Sequence, residues 1–269
     1  MDSKKISLDP SAIAWRLAMV AMLFVAIDMA MQAFRILAHQ EHVFGLAMMS
    51  LDGEFNLPSL FSTVLLLCAS LLLTLIALIK NNDKAPDTSR WVILAMGFLA
   101  MGVDETLSIH ERLIAPMRNL LGGHHLGIFY FAWVVPGVAL VVALGAFFLP
   151  FLFRLPRKVA IAFVISAAVY LGGALGVEII EGWWREGHGH RNLIYQALVG
   201  LEEGMEMIGV ILFIHALLDY IASHYKEVRF GFNGAAATVP EAIEPVPGMQ
   251  LGQSSPFGAP APTATLLRD

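Results

Sequence analysis

Six apolar runs, each long enough to cross a bilayer as a helix, occupy most of this chain before residue 222. A hydrocarbon core about 30 Å thick takes about 20 apolar residues per helical crossing. The runs are Ser11 to Leu37, Pro58 to Ile79, Trp91 to Leu113, Gly127 to Phe153, Lys158 to Glu181 and Leu193 to Ile221. They are too long for barrel strands and lack strand alternation. The first run is also too long for a secretory signal and has no clear small-x-small cleavage site after it, so it reads as a retained helix. The expected fold is all-α: a polytopic membrane bundle of about six transmembrane helices in residues 1–230. Residues 231–269 are rich in Pro, Ala, Gly and Ser and read as a disordered cytoplasmic tail.

Composition narrows the function classes. Of the 269 residues, 57% are apolar and 14% charged, against roughly 45–50% and 25% in soluble domains. A soluble enzyme is therefore not expected. The single cysteine, Cys68, excludes an intrachain disulfide and a thiolate metal site. A net charge of −5 argues against a nucleic-acid partner. The lipid bilayer is the expected partner.

Basic residues set the orientation. Lys4, Lys5 and Arg16 flank the start of the first helix, and Lys80, Lys84 and Arg90 lie between the second and third. Arg154, Arg157 and Lys158 lie between the fourth and fifth, and Lys226 and Arg229 follow the sixth. Both termini are expected in the cytoplasm, in the plasma (inner) membrane of a bacterium. The loops after helices one, three and five then face the periplasm or the exterior.

On that topology the acids gather at one end. Asp28, Asp104, Glu178 and Glu206 each fall roughly 20–29 Å from the inner helix ends at about 1.5 Å per residue. That depth lies within the outer leaflet. On a continuous third helix, Asp104, Ser108 and Glu111 share roughly 60° of arc. Glu178 and Glu181 share a face of the fifth helix, and Glu202, Glu203 and Glu206 a face of the sixth. A carboxylate at membrane depth is costly and marks a pathway or site. Several at one level need a counter-ion: a bound metal, shared protons, or arginine. Arg35, Arg112 and Arg185 are near enough in sequence to serve.

Asp104, His110, Glu111, Glu178, Glu181, Glu202 and Glu206 are the expected metal ligands, because histidine with carboxylates suits iron, manganese or zinc, and oxygen-rich sets suit calcium. Asp28, Glu105, Ser108 and Glu203 are expected behind them, as supporting groups or a proton relay. Asp28 reads equally well as a buried partner of Arg16 or Arg35. Glu41, Asp52 and Glu54 read most simply as solvated loop acids, although Glu54 precedes the helix-start signal NLPS. His215 reads as a hydrogen-bonded core histidine, and the glycine-flanked His124, His125, His188 and His190 as solvated loop residues. Gly172-Gly173-Ala174-Leu175-Gly176 reads as a small-residue face for close helix packing, with Gly172 and Gly176 at the packing spacing.

Three segments taken together resemble a group of uncharacterised bacterial multipass membrane proteins. They are GEFNLPSLFS (Glu54, Asn56, Leu57, Pro58, Phe61, Ser62), DETLSIHER (Asp104, Glu105, His110) and LEEGMEMIG (Glu202, Glu203, Glu206, Gly209). The resemblance implies the six-helix architecture and singles out the same acids, without implying an activity. The seven-helix ceramidase-like hydrolases fit less well, since a paired His motif late in the chain is missing.

The leading expectation is a membrane protein with a divalent metal ion (Fe, Mn, Zn or Ca) held by this cluster. As an enzyme it would act on an amphiphilic small molecule by metal-dependent hydrolase or oxidase-type chemistry. A proton- or cation-coupled transporter and a non-catalytic accessory or sensor subunit are the alternatives.

Overall fold

The computed structural model describes residues 8–40, 42–123 and 125–225, and every regular element among them is helical. The helices are α1 (Pro10–Leu37), α2 (Leu46–Met49), α3 (Leu57–Asn82), α4 (Thr88–Leu107), α5 (Ile109–Leu120), α6 (Val134–Leu152), α7 (Arg157–Leu171), α8 (Glu178–His188) and α9 (Leu193–Tyr225). Five continuous segments are long and apolar enough to cross a membrane. They are α1, α3, α6, α9 and the unbroken stretch Arg157–His188. Large apolar side chains such as Leu71, Leu140, Val142 and Ile165 point outward along these segments, as a lipid-facing surface requires. The proposed tail and residues Glu41 and His124 lie outside the described residues.

The helix starts follow local chemistry. Pro10 opens α1 while the Asp9 carboxylate accepts from the N–H groups of Ser11 (2.9 Å) and Ala12 (3.3 Å). The NLPS signal is a capping box: Ser59 N–H donates to Asn56 Oδ1 at 3.0 Å, and Asn56 N–H donates to Ser59 Oγ at 3.1 Å. Asn56 does a second job. Its side-chain amide donates to the carbonyls of Ser50 (2.7 Å) and Gly53 (2.6 Å), which folds the α2–α3 loop back against the bundle.

The expected third span, Trp91 to Leu113, is not one helix. Ser108 adopts a left-handed conformation (φ 48°), and α4 and α5 meet there at 77°. The cause is visible in DETLSIHER. The small, unbranched Ser108 stands at the break, where a β-branched or bulky residue would be a true outlier, and Asp104 satisfies the freed start of α5 by accepting from His110 N–H at 2.9 Å. The single stripe of Asp104, Ser108 and Glu111 is thereby corrected: these residues sit on two helices and at the hinge between them.

α9 is the central element and packs against α1, α3, α7 and α8. Two glycines allow the closest approaches. A Cβ on Gly173 would lie 2.7 Å from the Glu202 carbonyl, and one on Gly209 would lie 2.6 Å from Tyr170 N. Within the expected Gly172–Gly176 face the close contact falls on Gly173: Gly172 meets only the tip of Met205, and nothing lies within 4 Å of a Cβ on Gly176. Gly172–Val177 forms a π-helical turn between α7 and α8. At the opposite end of the bundle Trp91 packs against Phe151, Phe163 and Tyr220 with ring centroids 5.2–6.1 Å apart.

Candidate functional site

A cavity of about 280 Å³ opens at the end of the bundle where α9 begins. The α2–α3 loop contributes Asp52 and Glu54; α4 contributes Asp104 and Glu105; α5 contributes His110 and Glu111. Glu178, Glu181 and Arg185 project from α8, and Glu202, Glu203 and Glu206 from α9. Ten carboxyl groups, one histidine and one arginine thus line one space, with Trp133, Phe131 and Tyr170 as its aromatic wall.

Each acid is placed by a feature already described. The Asn56 amide holds the loop that carries Asp52 and Glu54. The hinge at Ser108 turns His110 and Glu111 across the mouth. Gly173 brings the backbone of the π-turn against α9 at Glu202, so the acids of α8 and α9 face each other across that contact.

The hydrogen bonds leave most of the charge unanswered. His110 Nδ1 lies 2.7 Å from Asp104 Oδ2, and the His110 ring packs on Trp133 at 4.8 Å. Trp133 Nε1 donates to Glu178 Oε1 at 2.6 Å. Among the described residues, His110–Asp104 is the one ion pair at the cavity; the other two join Asp87 to Arg90 and Arg154 at the far end. Glu181 is 4% exposed, and its Oε2 has no hydrogen-bond partner. Glu54 Oε2 is likewise buried and unpartnered. A buried carboxylate oxygen without a partner is costly to keep. In the loop, burial pushes the Asp52 carboxyl above its ordinary range, with Arg185 and Tyr195 pulling against it. Burial and repulsion from Glu111 push Glu54 up as well.

All seven expected ligands line the cavity, as do Glu105 and Glu203. Two expected supporting residues do not. Ser108 is the hinge. Asp28 is fully buried on α1, where Gln32 Nε2 donates to it at 3.2 Å, and it pairs with neither Arg16 nor Arg35. Sequence reasoning missed Asp52, because a loop acid gives no periodicity; the Asn56 cap signal was the available clue to both Asp52 and Glu54. Of the three arginines considered, Arg185 lines the cavity and Arg35 and Arg112 do not. Among the described residues, His110 is the histidine that lines it; His188 stacks on Trp184, and His215 meets Ser11 Oγ at 3.4 Å.

In this arrangement the acids stand around the space rather than closed on a point. Among the described residues, no three His, Cys, Asp or Glu side chains are already positioned to hold a metal ion. Below Glu105, Tyr170 and Glu206 the space narrows to a niche of about 10 Å³ beside Ser62. Leu65, Leu66, Met207 and Val210 then close the floor.

The family model described as "Domain of unknown function (DUF8692)" matches residues 14–221. No curated protein and no solved structure matches the chain.

Proposed function

We propose, from the premise that the chain belongs to this family of unknown function (DUF8692), that it is a membrane protein whose cavity binds a divalent cation at the outer leaflet. One observation carries the reading. Ten carboxyl groups from five structural elements share a space in which, among the described residues, the single guanidinium makes no ion pair with any of them. Such a field concentrates cations. The unpartnered Oε2 of Glu181 supplies a vacant acceptor within it.

The donor set favours a hard cation, calcium or manganese, over zinc, since oxygens far outnumber nitrogens. The width of the cavity suits an ion that keeps part of its water shell, or one that draws the flexible glutamates inward. The closed floor supports a binding site over a through-path for transport. A divalent cation held there would supply Lewis-acid chemistry toward an amphiphilic molecule, and a cavity carboxylate left free of it would be placed to take a proton. The bend at Ser108 supports such a substrate, because Ile114 of α5 lines the cavity while Leu113 and Leu120 of the same helix are exposed.

Elemental analysis of the detergent-purified chain tests the proposal. The expected result is at least one calcium or transition-metal ion per chain, lost in Asp104→Asn and Glu206→Gln. A folded, metal-free protein that takes up no divalent cation on titration would refute it.

A further inference from the structure

Arg185 is held away from the acids by a cage of its own. Its guanidinium lies 5.6 Å from the ring centroid of Tyr130, 5.5 Å from that of Phe131 and 5.6 Å from that of Tyr195. Its Nη1 donates to the Tyr195 hydroxyl at 3.0 Å, and that hydroxyl donates to Asp52 Oδ1 at 3.3 Å. Tyr195 is fully buried, so this latch is a built part of the bundle. A guanidinium beside ten carboxyl groups would ordinarily pair with one of them, in the bidentate geometry that arginine favours. Here aromatic faces and one hydroxyl occupy it instead, a set of contacts of the cation–π kind.

We propose that Arg185 is a tethered counter-cation parked at the mouth, and that it sets how tightly the cavity holds a soluble cation. Latched on Tyr195, it lowers the negative potential without filling the acid site. Released, its fork reaches the carboxylates and competes with the ion. Arg185 is then a specificity-determining residue that acts through charge. This inference rests on the cation-binding reading above.

Two substitutions move the affinity in opposite directions, which a loss of structure would not do. Mn²⁺ binding to the purified full chain is followed through the free-ion electron paramagnetic resonance signal. Arg185→Gln removes the fixed charge and is expected to tighten Mn²⁺ binding on the order of tenfold. Tyr195→Phe keeps the charge but opens the latch, and is expected to weaken binding about threefold through competition. Equal or weaker binding in a folded Arg185→Gln protein, or unchanged binding in Tyr195→Phe, overturns the role given to Arg185 while leaving the cation site standing. Should neither wild type nor Arg185→Gln bind Mn²⁺, the cation reading falls and this inference with it.

Discussion

The two ends of the bundle are built from the same long helices and solve opposite problems. Around Trp91, Phe151, Phe163 and Tyr220 the helices close on aromatic packing, with Leu73, Ile76 and Leu217 fully buried beside them. At the other end the same α4 and α9, with α8, carry acids into a cavity that packing leaves open. Apolar surface gains little by leaving lipid, so close packing and satisfied polar groups must hold such a bundle together. The closed end meets that demand, and the open end gives it up. Stability given up at one end and secured at the other is the expected signature of a functional site.

Substitutions at the two ends should therefore act with different signs. Trp91→Ala empties the centre of the closed end and is expected to cost about 3–5 kcal/mol, seen as loss of folded protein in thermal unfolding. Between the two ends, Gly209→Ala forces a Cβ against the Tyr170 backbone and should cost about 1–3 kcal/mol by overpacking. At the open end the sign reverses. Glu203→Gln replaces one of the ten crowded carboxyl groups with a neutral amide and is expected to stabilise the cation-free protein by about 0.5–2 kcal/mol, while reducing the gain on adding Mn²⁺. A loss of stability in that variant would mean the cavity is an ordinary structural network.

Asn56→Ala sharpens the contrast further. It removes the cap of α3 at a cost of about 1 kcal/mol and frees the loop that carries Asp52 and Glu54, so cation affinity should fall by more than stability does. The smallest effect is on pH dependence. Asp52 and Glu54 have raised values in the folded state, so the folded protein holds protons that the unfolded chain has released. The stability they contribute is full below the ordinary carboxylate range and is lost as pH rises through the raised values. The cation-free protein should thus melt higher as pH falls from neutrality toward that range, and Asp52→Asn should flatten the profile.

Much of this architecture was readable from residue order alone. The long apolar runs gave the bounds of α1, α3 and α9 to within a few residues, because length and hydropathy are properties of a segment by itself. The acids of α8 and α9 were readable as sharing one level for the same reason. The 77° break was not, since Ser108 carries no helix-breaking signal of the strength of Pro or Gly, and the bend depends on Asp104 reaching across to His110. Nor was Asp52 placed at the cavity, and the way Arg185 is held there was not readable. Their positions follow from tertiary bonds, Asn56 to the loop carbonyls and Arg185 to Tyr195, which no periodicity encodes. The glycine contacts show the same limit: the small-residue face was readable, but its spacing pointed to Gly172 and Gly176, whereas the contact falls on Gly173 within it and on Gly209 of α9.

The most direct test of the account is the thermal unfolding of the detergent-purified chain with and without Mn²⁺ or Ca²⁺, beside the double variant Glu202→Gln/Glu206→Gln. An ion that binds the folded state alone adds about 2.7 kcal/mol at a hundredfold excess over its dissociation constant. A rise of that order in wild type, absent from the double variant and retained in Trp91→Phe, is the predicted result. A melting profile indifferent to both ions in all three proteins would contradict it.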